Sequence, residues 1–251
     1  MRKVIKQSNL LLISESLTAI DAALQSVVYH RRELEGYILL RPEYRYSLEP
    51  VRVEEDAPRV VKLAASATQL TGVGPMAAIP GALAELAMES MLHRGAEVNV
   101  IENGGEIAAT SRRPLCVGIY AGPSPLSGKV GFQLTPEEFP VGIATSSATV
   151  SHALNFGEAD AAVVIADTAS LADAAAKAVC NAVQGEDMEA SVQAGLEVAE
   201  DLPCVRASLI IRGKYIGTAG RLPRLVRLDG DVDEMLKTGL HDLAPERAVI
   251  L

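Results

Sequence analysis

Tryptophan is absent, and aromatic residues make up only 4% of the 251 residues. Alanine and glycine are abundant instead, and small residues let backbones approach closely, so the packing is expected to rest on tight helix-on-sheet contact. Cysteines number three, an odd count with no Cys-x-x-Cys spacing. Cys116, Cys180 and Cys204 therefore read as small buried hydrophobes in a reducing compartment, not as a disulfide framework. No apolar run approaches the roughly 20 residues of a membrane-spanning helix. The opening MRKVIK imitates the start of an export signal, but the apolar run Leu10 to Ile13 meets Ser14 and Glu15 at once, too soon for such a signal. A cytoplasmic protein is expected. Positive charge is in deficit: 23 Lys and Arg against 32 Asp and Glu leave a net charge of −9. That balance argues against a nucleic acid or an anionic membrane as main partner, while allowing a local positive pocket for a small anion. No HExxH, P-loop or GxGxxG motif occurs, and His30, His93, His152 and His241 lack metal-type spacing.

What is present is ordinary for a globular chain: 49% hydrophobic and 22% charged residues. The length suits one domain over residues 1–251, with no linker or low-complexity segment. Asn9 to Ile13 reads as a short strand. From Leu17 the apolar residues fall at positions 17, 20, 24, 27, 28, 34 and 38, the spacing of a long helix capped by Ser16 and ended by Pro42. A second helix is predicted over Ala57 to Leu70, with Gly72 and Gly74 as stop signals. A third lies within Pro75 to His93, where Pro80 implies a kink or a later start. Alternating apolar residues predict strands around Val98 and Val100, Leu115 to Ile119, and Phe132 to Leu134. Helical spacing returns at Leu171 to Val183 and Met188 to Ala199. A hairpin is predicted from Ser208 to Gly217, turning at Arg212–Gly213–Lys214. The tail from about residue 222 to 251 takes no assignment. Helix pairs flanked by strand pairs occur twice, which points to an α+β fold: antiparallel sheet with helices on one face, and a suspicion of internal duplication.

The best site signal is TSSATVSH, residues 145–152, between the apolar segments Val141 to Ala144 and Ala161 to Ile165. Hydroxyls and backbone amides at this density suit an anion, most plausibly a phosphate, so Thr145, Ser146, Ser147 and Thr149 are candidate ligand contacts. His152 ends the loop and is either a proton-transfer group, an anion contact or a structural cap. ENGGEIAA, residues 102–109, reads first as a hairpin turning on Asn103, Gly104 and Gly105. The functional alternative puts those glycines beneath a ligand, with Glu102 or Glu106 on a polar group. Ser170 and Asp173 have capping-box spacing, and the alternative makes Asp173 an oxygen ligand of a divalent cation. Lys177 follows Asp173 by four residues, on the same helical face. It is either a surface pair or an amine pointing into a cleft. Arg112 and Arg113 sit at a strand turn, as a phosphate grip or as solvated charges.

Four stretches together resemble an uncharacterised branch of the ApbE-like superfamily, distant relatives of the ApbE-type FAD:protein FMN transferases. They are GVGPMAAIPGALAE (72–85), ENGGEIAA, IATSSATVSHALNFGEADA (143–161) and LADAAAKAVCN (171–181). The resemblance implies a tunnelling-fold-like structure of two β-rich units with paired helices. It also implies FAD or FMN as cofactor; the transferases take FAD, use a divalent cation such as magnesium, and move FMN onto a threonine of a target protein. Asp173 falls on the transferases' metal-binding aspartate, but Lys177 stands where they carry a threonine. Their His–His–Ile–Leu–Asp–Pro stretch has no counterpart between Phe156 and Ala162. Ala148 and Ser151 replace usual glycines of the branch, and Glu106 a usual aspartate. The expectation is a metal-free, electropositive recess for a phosphate-bearing flavin or nucleotide, in which the Lys177 ammonium, held by Asp173, supplies the charge. Asp173 would position the ligand and His152 would transfer protons. The alternatives are a true magnesium-dependent FMN transferase, a non-catalytic carrier, and an oligomeric interaction protein. A homo-oligomer is expected under each.

Overall fold

A computed structural model describes residues 1–150, 154–228 and 248–250. The strands in chain order are β1 (Arg2–Ile5), β2 (Ser8–Ser14), β3 (Val98–Asn103), β4 (Glu106–Ser111), β5 (Leu115–Gly118), β6 (Val130–Leu134), β7 (Val141–Ser146), β8 (Ala161–Ala166), β9 (Val205–Arg212), β10 (Tyr215–Gly220), β11 (Arg224–Arg227) and β12 (Ala248–Ile250). Eight of them form one antiparallel sheet in the order β1-β2-β3-β4-β7-β8-β9-β10, so β1 and β10 are its edges. The other four form a smaller sheet, β11-β6-β5-β12, in which only β12 and β5 run parallel.

The helices are α1 (Leu17–Leu40), α2 (Pro42–Tyr46), α3 (Arg59–Thr71), α4 (Ile79–Met91), α5 (Ala169–Ala182) and α6 (Met188–Asp201). Ser16 caps α1 as expected, accepting from the Ala19 amide at 3.3 Å. Pro42 does end α1, yet it also opens α2, where its missing N–H costs nothing. Gly72 stops α3 with φ 75°, a left-handed conformation that glycine takes without strain. Pro80 marks a later start and not a kink: a 3-10 turn over Pro75–Ala78 comes first, and Pro80 lies in the first turn of α4.

Period-two alternation sorts the large sheet into two apolar faces. Leu10, Leu12, Ile101, Ala108, Ala144, Ala162, Val164 and Ile210 point to the helices. Leu11, Ile13, Val100, Ile107, Ile143, Val163, Ile165 and Leu209 point the other way, onto Leu115, Val117, Phe132 and Leu134 of the smaller sheet. The expectation of antiparallel sheet with helices on one face holds, with a second sheet covering the other. Burial on both faces explains why β8, AAVVIA, is apolar throughout although its neighbours run antiparallel. Small residues allow the layers to close. A Cβ on Gly142 would lie 2.1 Å from the Thr168 carbonyl, so the start of α5 rests directly on β7.

Candidate functional site

The hairpin β3–β4 turns on Gly104 and Gly105, both at positive φ, 78° and 117°. The Gly105 amide donates to Glu102 at 2.8 Å, and the Asn103 side chain donates to the Pro80 carbonyl at 3.0 Å. The hairpin reading of ENGGEIAA is therefore correct, and the turn is also fastened to the start of α4. Glu106 opens β4 opposite Ala144, so its buried side chain points to the helix face. Asp173, on α5, accepts from the Gly81 amide at 2.8 Å. It thus places a carboxylate at the amino end of α4, where the helix dipole favours it.

Glu85 of α4 returns the arrangement. It accepts from the Ser170 hydroxyl at 2.6 Å and from the Ser170 amide at 3.2 Å. The predicted Ser170–Asp173 capping box does not form. Thr168 caps α5 instead, accepting from the Leu171 amide, because the helix begins at Ala169. Each helix lends a carboxylate to the amino end of the other. Gly81 makes this approach possible: a Cβ there would lie 2.3 Å from the Ala169 carbonyl oxygen.

The electrostatics follow from burial. Desolvation pushes the Asp173 carboxyl up to about 7, against the Gly81 amide and Lys177, which favour its charge. Glu106 stands well above the ordinary carboxylate range, through burial first and then the nearby charges of Asp173 and Glu102. Glu102 is raised by burial and held back chiefly by the Gly105 amide. Lys177 is half-buried, and its ammonium donates to the Leu154 carbonyl at 3.2 Å, not to Asp173. It acts on Asp173 and Glu106 through space. The ammonium expected to be held by Asp173 therefore stands near two buried carboxyl groups, Asp173 and Glu106, whose charged forms it favours.

The hydroxyl loop divides. Ser146 points to the helix side and accepts from Asn155 at 3.3 Å, whose amide also meets the Cys180 sulfur at 3.2 Å. Thr145 pairs with Val163 and points to the smaller sheet, where its buried hydroxyl has no partner among the described residues. Ser147 accepts from the amides of Thr149 and Val150 at 3.1 and 3.0 Å, so it shapes its own turn. Thr149 lies against Gly122 and donates to Asp160 at 3.3 Å. Asn103, Gly105, Glu106, Ser146, Asp173 and Lys177 come to one end of the helix layer, and Thr145 and Thr149 turn away from it. Gly104 is exposed at the hairpin tip. Ser151, His152 and His241 lie outside the described residues. Arg113 pairs with Glu15 and with Glu97, so it serves the fold at the other end of β4.

Glu85, Leu154 and Asn155 were not singled out from the sequence, and Pro80 and Gly81 were read only for the helix they open. The pairing of a glycine with a glutamate four residues on, matched by a serine with an aspartate three residues on, is the only signal they leave. Among the described residues no group of three or more His, Cys, Asp and Glu side chains is poised around a cation. Magnesium fits the site poorly. One Asp173 oxygen is engaged by Gly81, and a dication at the other would face the Lys177 ammonium.

Sheet, helix layer and turn together define an ApbE-like protein. The fold matches the ApbE protein of Thermotoga maritima with a TM-score of 0.50 over 91% of this chain and 96% of that one, at 15% identity. It matches a variant of the flavin transferase ApbE from Vibrio cholerae with a TM-score of 0.52 over 87% and 95%, at 14% identity. The chain belongs to the AbpE bacteria family, whose model matches residues 2–203. It is 42% identical over 234 residues to a UPF0280 protein of Methanopyrus kandleri, covering 92% of this chain and 94% of that one. It is 39% identical over 230 residues to a UPF0280 protein of Methanocaldococcus jannaschii, covering 91% and 93%.

Proposed function

We propose that this protein binds a phosphate-bearing small molecule, a flavin (FAD or FMN) or a nucleotide, at the end of the helix layer where Lys177 meets the 154–156 segment. One observation carries the proposal. The half-buried Lys177 donates its ammonium to the Leu154 carbonyl, in a segment whose apolar side chains Leu154 and Phe156 are exposed, 63% and 52% accessible. A cation next to an apolar shelf suits a ligand that joins a phosphate to a flat ring. Glu106 and Asp173, with raised affinity for protons, suit the hydrogen-bonding edge of such a ring, because a neutral carboxyl both donates and accepts. Ser146 and the turn at Asn103–Gly104–Gly105 complete the wall. The flavin transferase likeness supports the flavin class, and Lys177 supports binding without magnesium.

Any group transfer here would be phosphoester chemistry, with the charge met by Lys177, Asp173 positioning, and His152 as the proton-transfer group. We further propose that the protein acts in the cytoplasm as a homo-oligomer, with neither nucleic acid nor membrane as partner. Calorimetry with FMN, FAD and ADP, each with and without magnesium, tests the reading. Binding should persist in a chelator, and Lys177→Ala should weaken it about tenfold or more. A strict requirement for magnesium, or full affinity in the Lys177 variant, overturns it.

A further inference from the structure

The opposite end of the large sheet carries a second opening, independent of the site above. A cavity of about 680 Å³ lies between the two sheets where β7 begins and β8 ends. Leu134, Val141, Ile165 and Leu222 give it an apolar floor, and Glu137, Glu138, Arg206, Arg221 and Arg224 stand around its mouth.

The charges at this mouth nearly cancel, but the hydrogen-bonding capacity does not. Glu138 accepts from the Thr135 amide at 2.5 Å. Glu137 is held below the usual carboxylate range by its own backbone amide and the Thr135 hydroxyl. Both acids therefore face their own turn. Arg206 is committed as well, to Asp167 at 2.5 Å, to the Glu138 carbonyl at 3.1 Å and to the Pro140 carbonyl at 3.3 Å. Arg224 makes one side-chain bond among the described residues, to Gln133 at 3.3 Å. Arg221 bonds through its backbone amide, to the Arg206 carbonyl, and its guanidinium has no partner among the described residues. A guanidinium carries about five N–H donors in a planar fork that matches an oxyanion. Two such forks, with one side-chain acceptor between them among the described residues, flank an apolar floor.

We propose that this cleft binds a small organic oxyanion, a carboxylate or a phosphate monoester on a compact apolar body. Arg221 and Arg224 grip the head, and Leu134, Ile165 and Leu222 cover the body. Arg206 takes no direct part: it fixes the 138–140 turn that forms one wall.

Titration of the full chain with benzoate, phenyl phosphate and inorganic phosphate, followed by calorimetry, tests this. Both aromatic probes should bind, and whichever is tighter assigns the head group. The Arg221→Ala and Arg224→Ala double variant should weaken both by about tenfold or more. Both arginines are exposed, so the variant should keep the thermal melt of the parent. Leu222→Ser should weaken the aromatic probes and leave inorganic phosphate unchanged, which separates the floor from the forks. The proposal fails if no aromatic probe binds or if the double variant binds as the parent does.

Discussion

Asp173 is a buried carboxylate whose proton affinity is raised, and that has a consequence for stability with a definite sign. Its carboxyl stands at about 7 in the fold, above the ordinary value near 3.9 in an unfolded chain. The folded state therefore binds the proton more tightly. The contribution is fully favourable below about pH 4, is lost as pH rises toward 7, and stays lost above. Glu106 adds to the same trend, because burial and the Asp173 charge raise it too. Asp173→Asn keeps an acceptor for the Gly81 amide and removes the ionisation. Between about pH 4 and 7 the parent should lose on the order of 1–3 kcal/mol that the variant does not lose. Thermal melts of both proteins across that range check this, and parallel curves would contradict it. At this scale the sequence is informative within one helix and silent across two. Asp173 and Lys177 share a helical face by spacing alone, and both do reach the same corner. That their partners are Gly81 and Leu154, over twenty residues or more of chain, is a matter of tertiary packing that spacing does not encode.

Helix by helix, periodicity found α1, α3, α5 and α6 to within about two residues, because each buries one apolar stripe. It misplaced the cap of α5 because Thr168 and Ser170 are both competent caps, and the choice was made by Glu85 drawing Ser170 away. It missed β1, a short exposed edge strand with little apolar alternation, and β11 and β12, which lie in the tail left unassigned. The exchange of carboxylates between α4 and α5 depends on Gly81. Gly81→Ala should force the helices apart, break the Asp173 contact, and cost about 1–3 kcal/mol or more. Gly36→Ala is the matching control. Gly36 lies inside α1 with nothing within 4 Å of its added methyl. It should stabilise by about 0.4–1 kcal/mol. Chemical denaturation of the two variants beside the parent measures both, and equal midpoints would refute the packing argument.

As a whole, the molecule is three layers: helices, a large sheet and a small sheet. The helix layer was legible in the sequence, since amphipathic stretches announce a face to cover. The third layer was not, because alternation in β5 and β6 says that one face is buried and not what buries it. No single helix among the described residues is long and apolar enough to cross a membrane. The stretches Arg59–Thr71 and Pro75–Met91 are apolar enough as a pair, but they bend by 108° and their apolar side chains fill the core beneath α1 and α5. The proposed homo-oligomer predicts elution well above the 26.5 kDa of one chain on gel filtration; a monomer at micromolar concentration would refute it.

The large sheet has two unlike rims. The β1 rim presents Arg2 and Lys3 to solvent, and a second such rim brought alongside would meet like charge with like. The β10 rim, Tyr215–Gly220, carries no charge at all, and Ile216 and Thr218 lie open along it. Copies that zip together by symmetric backbone pairing would therefore do so β10 to β10. Such a union is self-limiting: once the neutral margins have met, only cationic fringes face outward, and growth halts at a closed pair instead of running on into a fibre.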